Sequence, residues 1–532
     1  MLKKIHIENF RAFRKFDLEF RDGLNLIVGD NDAGKTSLLE AIHLALTSRF
    51  RGRPFAYDLS PHLVNQGAAK SYIADVAANG VTAHPPVVLI DLFFEDSDEF
   101  ADLKGENNHC KENAPGLRIR AAFDPRYSAE YQSFITSDAP VSLVPTEYFE
   151  FEWLSFAGNA VSGRSVPVNA SLIDASALRL HAGADYYLQK TIDEQLDAAD
   201  RVELSRVYRS LREIFSKDEA IAAINEKLGE TQKEVTDKEL SLSIDVSQGA
   251  SWESSIVPHL NELPLQFIGG GGQSMLKILL ALYRNLAKSH VVLIEEPENH
   301  QSPASLNILV EKIRERCDGR QVFISTHSSF VLNKLGLDNL ALLGEGNPFR
   351  LTELDADVLD YFKKLPGYDT LRVVLADKII LVEGPSDELV VQRAYFDRHK
   401  KRPIEDGVDV ISVRGLSTPR FLAIAAPLGK TVHAVVDNDG KAIADVEARF
   451  AAFDQHAQIH VHVSDPTDGK TLEPQLLKAN GRDVLNQIFG KGFASDEDLE
   501  AFMADHKTTC ALGILEAKEA VKMPPYIEAA VG

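Results

Sequence analysis

Alternating apolar and polar positions dominate the start of the chain. In "KKIHIENF" and "FDLEF" apolar and polar residues take turns, which is the pattern of half-buried β-strands. The apolar run "GLNLIVG" ends at a glycine and predicts a third strand. "GKTSLLEAIHLAL" then has helical spacing, whereas "PPVVLIDLFFED" and "GLRIRAAF" predict further strands. The first segment is therefore predicted to be rich in strands, with one early helix.

Residues 185–240 have a different pattern. They are highly charged, nearly free of glycine and proline, and space their apolar residues as a helix does. The pattern predicts a helical insertion. Two interpretations stay open: the helices mediate self-association, or they are solvated helices packed on the same domain.

Two blocks of alternating helices and strands follow. Residues 264–345 predict two helices and two strands, with the strands at "HVVLIEEPE" and "RQVFISTH". After a linker containing "KLPGYDTL", a second block begins at residue 377 with strands at "KIILVEG", "VDVISVRG", "TVHAVVDND" and "QIHVHV". This alternation predicts an α/β fold with a buried parallel sheet in each of two domains.

Composition narrows the class of protein. A chain of 532 residues is too long for one hydrophobic core, and 44% apolar and 26% charged residues are typical of globular proteins. No apolar run is long enough for a membrane span, and the N-terminus lacks the apolar core of a signal peptide. Three distant cysteines fit a reducing cytoplasm. The net charge of −22 disfavours a general nucleic-acid coat but allows a local basic groove.

A phosphate-binding loop follows the third predicted strand. "GDNDAGKT", from Gly29 to Thr36, fits G-x-x-x-x-G-K-[ST] and opens a helix. Glycines let backbone N–H groups wrap the phosphates, Lys35 reaches them, and the Thr36 hydroxyl binds Mg²⁺. The alternative is a chance glycine-rich turn. The site is expected to hold ATP and Mg²⁺, and its remaining residues are Asn31, Gly34 and Ser37.

Two later strands end in residues that suit the same nucleotide. "HVVLIEEPE" ends in an acid pair, of which Glu295 is expected in the Mg²⁺ shell and Glu296 beside the attacking water. "VFISTHSSF" ends in His327, which is suited to sensing the γ-phosphate. Between the loop and these strands, "FIGGGGQSMLKILLAL" resembles the signature motif of ABC-type ATPases, with nucleotide contacts expected from Gly269, Gly271 and Gln273. A flexible loop before a capped helix is the alternative.

Acidic residues mark the ends of strands in the second block. Glu383 ends "KIILVEG", and Asp387 lies in the first turn of the next helix, where its simplest role is a favourable charge at the helix N-terminus. Asp437 and Asp439 end "TVHAVVDND", and Glu473 follows the last strand. Exits of neighbouring parallel strands lie side by side, so these acids can share ions. Oxygen ligands suit two Mg²⁺ or Mn²⁺ ions.

Together these motifs resemble the OLD (overcoming lysogenization defect) family, whose members join an SMC/RecF-like ABC ATPase to a Toprim domain. The resemblance rests on "IHIENFRAF", "GDNDAGKTSLLEAI", "LIEEPENHQSP", "LVEGPSDE", "VVDND" and "TLEP". It also implies that Lys507 stabilises charge at the scissile phosphate, with Lys518 and Lys522 as alternatives. The expected domains are two ATPase parts at 1–180 and 246–365, a dimerising insertion at 181–245, and a Toprim domain at 370–532.

The resemblance implies a metal-dependent DNA endonuclease with an ATPase domain, acting in anti-phage defence or DNA processing. Expected partners are DNA, further copies in a homodimer or homotetramer, and a helicase-like protein. DNA is expected to meet the basic residues Arg414, Arg420 and Lys430, or the cluster Arg49, Arg51 and Arg53. Two other functions stay open: a nucleotide-gated sensor or scaffold, and a repair ATPase whose Toprim domain does not cleave.

Overall fold

The structure is a computed structural model that resolves the chain into two compact units. The first unit comprises Met1–Ile27 with Asp32–Thr326, and the second comprises Val28–Asn31 with His327–Gly532. The expected insertion at 181–245 lies partly outside the described residues. The structure describes residues 1–136, 141–163, 165–174, 180–181, 184–185, 196–232, 242, 259–260, 262–264, 267–283, 290–316, 320–344, 349–350, 355–364, 369–415 and 417–532.

The first unit contains one antiparallel and one parallel sheet. The antiparallel sheet has the order β2-β1-β6-β8-β7, with β9 also paired to β8, and the parallel strands run in the order β10-β15-β16-β3. The strands are β1 Leu2–Phe10, β2 Phe13–Glu19, β3 Leu24–Gly29, β4 Arg49–Phe50, β5 Arg53–Pro54, β6 Val88–Phe94, β7 Lys104–Gly105, β8 Ala114–Phe123, β9 Phe149–Ser155, β10 Asn169–Asp174, β11 Leu180–His181, β12 Ala184–Asp185, β13 His259–Leu260, β14 Leu263–Pro264, β15 His290–Glu295 and β16 Gln321–Ser325.

One buried glutamine ties the two sheets together. Gln321, at the start of β16, accepts a hydrogen bond from the Leu2 backbone N–H at 2.8 Å and donates to the Leu2 carbonyl at 2.9 Å. Phe20 and Phe323 pack edge to face beside it, with 4.8 Å between ring centroids. Because Gln321 is fully buried, both the oxygen and the nitrogen of its side-chain amide need partners, and the Leu2 backbone at the edge of β1 supplies them.

The helices of the first unit cover its sheets and form the insertion. They are α1 Lys35–Thr47, α2 Phe55–Asp58, α3 Gln66–Asn79, α4 Ser128–Ile135, α5 Ala198–Lys217, α6 Glu219–Gln232, α7 Gly270–Tyr283 and α8 Pro303–Arg316. The strands and the helix predicted from the first alternating segment are confirmed as β1, β2, β3 and α1. The helices predicted for residues 185–240 are present in the described part of that range as α5 and α6, and the bounds of the insertion stay a prediction.

The second unit is built on a four-stranded parallel sheet with the order β20-β19-β21-β22. Its strands are β17 Leu340–Leu343, β18 Phe349–Arg350, β19 Lys378–Val382, β20 Val408–Ser412, β21 Thr431–Val436 and β22 Ile459–Val463. Its helices are α9 Ser329–Leu335, α10 Ala356–Lys364, α11 Thr370–Leu375, α12 Pro385–His399, α13 Thr418–Ala425, α14 Ile443–Glu447, α15 Leu472–Asn480, α16 Arg482–Phe489, α17 Asp496–Asp505, α18 Lys507–Glu516 and α19 Pro525–Ala530. All four strands predicted after residue 377 are confirmed.

The core of the second unit joins β19 and β21 to the last helices of the chain. Its buried apolar side chains come from the sheet, from α12 and from the C-terminal helices, including Val390, Ile514 and Ile527. Arg393 of α12 donates to the carbonyls of Ile514 and Ala517, which closes the end of α18. The C-terminal helices are thereby held close to the exits of β19 and β21. Among the helices that the structure describes, none combines the length and hydropathy needed to cross a bilayer.

Candidate functional site

The phosphate-binding loop has the backbone that its sequence predicts. Gly34 is the residue before α1, and its φ of 98° lies in the left-handed region. A Cβ at this position would lie 2.7 Å from the Phe13 ring, so the loop needs glycine here for two reasons. Lys35 and Ser37 are buried in the first turn of α1. The loop can therefore present backbone N–H groups and the helix N-terminus to phosphate.

The Mg²⁺ ligands expected from the sequence are in contact. The Thr36 hydroxyl donates to the Glu295 carboxylate, although 259 residues separate them. β15 and β3 belong to one parallel sheet, with β16 between them, so their carboxyl ends reach the same edge. The structure brings these two predicted residues together, and their oxygens suit a hard cation.

Glu296 sits in a strained turn just after β15. Its φ is 45°, which is rare for a residue other than glycine. Its N–H donates to the Ser325 carbonyl at 2.9 Å, and its carboxylate accepts from the Asn299 amide at 2.6 Å. The first bond fixes the backbone of Glu296 and the second fixes its carboxylate. A carboxylate that positions an attacking water needs such a fixed orientation. Asn299 was not singled out from the sequence, and "EEPEN" carries no local signal for it.

The glycine-rich signature is packed against its own chain. A Cβ on Gly271 would lie 2.3 Å from the His300 carbonyl oxygen, so α7 can approach this segment only with glycine there. Gln301 donates to the Gly271 carbonyl at 2.8 Å, and buried Gln273 donates to the Ile268 carbonyl at 2.7 Å. Gly269 has open space around its Cβ position. Gly271 and Gln273 thus have structural roles within the chain, and their nucleotide role stays a prediction.

Three predicted nucleotide residues belong to the second compact unit. Gly29 ends β3, Asn31 follows in the loop, and His327 is an exposed residue two positions after β16. Their expected roles toward phosphate stay predictions.

The acids of the second block gather at one rim of the parallel sheet. Glu383 follows β19 and Asp437 follows β21, and these two strands are direct neighbours. The Asp437 N–H donates to the Glu383 carboxylate at 3.3 Å. The expectation that neighbouring strand exits place Glu383 beside Asp437 and Asp439 agrees with this geometry, since the negative charge of Asp439 also acts on Glu383.

Burial and mutual repulsion raise the pKa values of three of these acids. Burial, together with the neighbouring Glu473 charge, raises the pKa of Asp387 to about 6. Burial also raises the pKa of Asp437 to about 8, with added repulsion from Asp387 and Glu383. The pKa of Glu383 is raised for the same reasons. Each of these carboxyls therefore lacks a positive partner strong enough to favour its charged form.

Asp387 combines a local and a longer-range role. Its carboxylate accepts a hydrogen bond from the Gly384 N–H at 2.8 Å, which caps the start of α12. The helix-terminus role expected from the sequence is therefore present. Its coupling to Glu473 and Lys507 shows that the same carboxyl also faces the acid cluster.

The turn after β21 is built around a buried asparagine. Asn438 donates from its amide to Ser464 and to the Gly469 carbonyl, and it accepts from the Gly440 N–H. Asp439 follows with a φ of 50°, and its N–H donates to the Lys470 carbonyl at 3.1 Å. Aspartate tolerates this left-handed conformation better than most residues. Asn438 thus anchors the turn while Asp437 and Asp439 are presented on either side of it.

Glu473 brings the predicted lysine to the cluster. It is buried at the start of α15, and its carboxylate lies 3.1 Å from the Lys507 ammonium at the start of α18. The Thr471 hydroxyl also donates to it at 2.8 Å. Among the contacts of the described residues, no ion pair joins Lys518 or Lys522 to these acids. The geometry therefore favours Lys507 over the two alternatives.

Tyr526 is a site residue that sequence reasoning missed. Its buried hydroxyl, on α19, donates to the Asp437 carboxylate at 3.2 Å. Burial raises the pKa of Tyr526 well above its usual range, so the hydroxyl stays a donor. "PPYI" lies 89 residues from Asp437 and has no pattern that links it to the acids.

The basic residues expected to steer DNA are all engaged within the protein. Their partners are the Gly52 carbonyl for Arg49, Glu40 for Arg51, Asp58 for Arg53, Asp369 for Arg414, the Asp357 carbonyl for Arg420 and Asp377 for Lys430. The carboxylate partners offset part of the positive charge of Arg51, Arg53, Arg414 and Lys430, whereas a carbonyl acceptor leaves the charge of Arg49 and Arg420 in place. The expected role of these residues toward DNA stays a prediction.

The donor set at the rim fits divalent metal ions. Glu383, Asp387, Asp437, Asp439 and Glu473 offer only carboxylate oxygens, which Mg²⁺ and Mn²⁺ prefer. A cation among them would remove the repulsion that raises the pKa values of Asp387 and Asp437.

Comparison with known families finds ATPase models in the first part of the chain and a Toprim model in the second part. Residues 4–116 match a model described as an AAA domain, and residues 179–332 match an AAA ATPase domain. Residues 374–439 match the Toprim domain of proteins like the overcoming lysogenization defect protein. The chain therefore carries an OLD-like Toprim domain together with AAA-type ATPase segments, and the predicted fold class is confirmed.

Among its relatives, the chain is similar to the endonuclease GajA of Bacillus cereus. The two are 23% identical over 479 residues, which is 82% of this chain and 75% of GajA. A Rad50 double-strand break repair ATPase of Methanopyrus kandleri is 40% identical over 85 residues, or 16% of this chain and 9% of that protein. A RecF replication and repair protein of Chlorobium phaeovibrioides is 56% identical over 50 residues, or 9% of this chain and 14% of RecF.

Solved structures with some likeness to this chain include an SMC head domain and RecF. The SMC head domain of Thermotoga maritima aligns over 66% of this chain and 99% of its own, with 14% identity and a TM-score of 0.29. A RecF structure determined with ATPrS aligns over 66% of this chain and 98% of its own, with 15% identity and a TM-score of 0.34.

Proposed function

We propose that this chain is a DNA endonuclease that depends on divalent metal ions and that also binds and hydrolyses ATP. The observation that carries the proposal is the cluster of five carboxylates at one rim of the Toprim sheet, with raised pKa values at Glu383, Asp387 and Asp437. Clustered acids of this kind suit metal-assisted phosphodiester hydrolysis. The similarity to a relative named endonuclease GajA supports the reaction class.

Mg²⁺ or Mn²⁺, in two sites, would be held by Glu383, Asp387, Asp437, Asp439 and Glu473. Bound there, such ions lower the pKa of a water and stabilise the charge on the leaving oxygen. Both metals accept all-oxygen ligand sets, so the residues alone do not separate them.

The chain's own residues prepare this rim for a phosphodiester. Lys507 stands beside Glu473, 51% of its side chain is exposed, and it can approach an anionic substrate. Tyr526 holds the Asp437 carboxylate from the buried side through a 3.2 Å hydrogen bond. Asn438 fixes the turn between the two aspartates. Lys507 is accordingly proposed to stabilise charge on the scissile phosphate, and Tyr526 to position Asp437.

The nucleotide site is proposed to bind ATP through the phosphate-binding loop, with Lys35 on the phosphates. Thr36 and Glu295 would hold the Mg²⁺, because their oxygens already meet. Glu296 would polarise the attacking water from its fixed turn, and His327 would sense the γ-phosphate. A second copy would complete this site with its glycine signature, so that ATP is coupled to contact between copies.

The cellular role proposed for this activity is anti-phage defence or DNA processing in the cytoplasm. Proposed partners are DNA, a second or further copy of the chain, and a helicase-like protein. The OLD-like Toprim domain and the similarity to endonuclease GajA support this setting.

A plasmid cleavage assay tests the proposal. Supercoiled DNA is incubated with the full chain and with Mg²⁺ or Mn²⁺, in the presence and absence of ATP. Asp437→Ala is expected to lose cleavage by about 100-fold or more, as expected for removal of a metal ligand. Asp454→Ala, an exposed acid of the same domain, serves as the matched control. Cleavage by Asp437→Ala at the parent rate would overturn the Toprim assignment.

A second comparison separates the two active sites. Lys35→Ala is expected to abolish ATP hydrolysis, because the phosphate-binding loop loses its cation. Asp437→Ala is expected to retain ATP hydrolysis, since this residue belongs to the Toprim rim. Loss of ATPase activity in both variants would argue against two separate sites. Nucleotide-dependent assembly without cleavage of any DNA form would favour the sensor or scaffold function.

A further inference from the structure

A row of polar residues crosses the antiparallel sheet of the first unit. His6 on β1 lies opposite Asp17 on β2 and opposite Asp91 on β6, and Asp91 lies opposite Arg118 on β8. Residues at paired positions of neighbouring strands point to the same face of a sheet. His6 and Asp91 are fully buried. This row lies outside the nucleotide-binding and Toprim motifs.

The segment after β7 adds a second histidine to the row. The His109 ring stacks on the His6 ring, with 3.6 Å between centroids and 10° between planes. The backbone N–H of His109 donates to an Asp91 carboxylate oxygen at 2.7 Å, and the ring Nδ1 of His109 lies 3.2 Å from the same oxygen. Arg118 donates twice to Asp91, at 2.7 Å each. The remaining ring nitrogen of His109, Nε2, lies 3.8 Å from Asp17.

A neutral His6 ring cannot donate a hydrogen bond to both of its carboxylate neighbours. Its Nε2 lies 3.1 Å from the Glu8 carboxylate, and its Nδ1 lies 2.9 Å from the Asp17 carboxylate. A neutral imidazole has one N–H, and an ionised carboxylate can only accept. One of the two contacts therefore joins two lone pairs unless a second proton or a metal ion lies there.

We propose that His6, His109 and Asp17 form a site for a transition-metal ion of the Zn²⁺ class. The ligand atoms are His6 Nδ1, His109 Nε2 and an Asp17 carboxylate oxygen, and these three residues bring their ligand atoms within 4.8 Å of one another. An imidazole nitrogen binds a metal in the plane of its own ring, so the parallel His6 and His109 rings would turn out of their stack when the ion enters. Two imidazoles and one carboxylate suit Zn²⁺ and its neighbours Co²⁺ and Ni²⁺ better than Mg²⁺.

The surroundings of the trio match those of histidine metal ligands. Such histidines usually donate their second ring N–H to a carboxylate, which orients the ring. Glu8 stands at this position for His6, and Asp91 does so for His109. Burial and the neighbouring His6 lower the pKa of His109, which keeps its ring in the neutral form that binds metal. The ion would join the His109 segment to β1 and β2.

One protein cation competes for the same oxygen. The Lys4 ammonium lies 3.7 Å from the Asp17 carboxylate oxygen that faces both histidines. A bound ion would repel Lys4, so removal of the lysine charge is expected to strengthen metal binding. This makes Lys4→Gln a gain-of-affinity test, which a damaged fold does not mimic.

The test uses the full chain, stripped with a chelator and titrated with Co²⁺ without nucleotide. The parent is expected to bind Co²⁺ with visible absorption typical of nitrogen ligands, and Zn²⁺ is expected to displace it. His109→Gln is expected to lose this absorption. Glu8→Gln is expected to weaken binding about 10–100-fold, as usual for a residue that orients a ligand. Lys4→Gln is expected to bind more tightly than the parent.

His84→Gln, at an exposed histidine of the same unit, is the matched control and is expected to bind as the parent does. Asp437→Ala is expected to retain the nitrogen-type absorption, which separates this site from the Toprim rim. Absorption unchanged in His109→Gln, or the absence of nitrogen-type absorption in the folded parent, would overturn the proposal.

Discussion

Asp437 shows how one side chain can be made reactive by its surroundings. It leaves the end of β21 into a site where burial, Asp387 and Glu383 all favour its protonated form, and its pKa is raised to about 8. Tyr526 partly opposes this effect by donating to the carboxylate. Ionised Asp437 destabilises the folded, metal-free protein. A bound cation would neutralise this charge, so the same free energy favours cation binding.

The metal-free protein should therefore be stabilised by Asp437→Asn at high pH. A carboxyl whose folded pKa exceeds its unfolded value binds more protons in the folded state, so stability falls as pH rises from 3.8 to about 8. Removal of the charge is expected to raise the free energy of unfolding by on the order of 5 kcal/mol above that window and by little below it, since each unit of the pKa shift corresponds to about 1.4 kcal/mol. Urea denaturation in chelator at both ends of the window measures this difference. Asp454→Asn is the control, and an equal effect of Asp437→Asn at both pH values would contradict the argument.

Tyr526→Phe should alter the pH dependence of DNA cleavage. Loss of the hydroxyl removes a donor that lowers the pKa of Asp437, so that pKa rises further. At neutral pH the rate is expected to fall about tenfold, the usual effect of losing one hydrogen bond to a charged group. The rate should approach that of the parent as pH rises, because Asp437 then ionises in both proteins. Tyr57→Phe, at a tyrosine that is 90% exposed, provides the comparison. A loss that is constant across pH would instead indicate a structural defect.

At the scale of elements, the glycine-rich signature and α7 serve packing as well as any role toward nucleotide. The helix meets the segment after β15 so closely that Gly271 contacts the His300 carbonyl oxygen. Gln301 completes the contact by bonding to the Gly271 carbonyl. The sequence "GGGGQS" predicted a helix start here, but not the contact that makes one of its glycines necessary.

Gly271→Ala is accordingly expected to destabilise the first unit by about 1–3 kcal/mol, the usual cost of overpacking. Its Cβ would lie 2.3 Å from a backbone oxygen, which cannot move as a side chain can. Gly269→Ala, with open space around the new methyl group, is the matched control. Chemical denaturation compares the two variants. Equal stability of both would show that α7 shifts without cost.

At the scale of the whole molecule, the insertion carries an apolar stripe that the described part of the chain leaves exposed. On α5, Leu211 is 47% exposed and Ile214 is 66% exposed, and Val207 lies one turn before them at 43%. This spacing places the three on one face of the helix. Of the two interpretations of the insertion, self-association explains these exposed side chains more directly.

Leu211→Asp combined with Ile214→Asp should therefore reduce the mass of the assembly in solution. Two charges on the stripe would have to be desolvated in any contact between copies. Sedimentation of the double variant at several protein concentrations is expected to show a smaller species than the parent. Arg209→Asp, on another face of α5, controls for the added negative charge. An unchanged assembly would place the contact between copies elsewhere.

The sequence by itself determined the strands, their ends and the chemistry placed there. Alternation and apolar runs are local, and an acid or a glycine that follows them is visible without any structure, as at Gly34, Glu295, Glu383 and Asp437. Only the tertiary structure decided which of these residues meet. The strand order put β19 beside β21, and folding of the C-terminal helices brought Lys507 to Glu473 and Tyr526 to Asp437. Such contacts join residues far apart in the chain, so no local pattern encodes them.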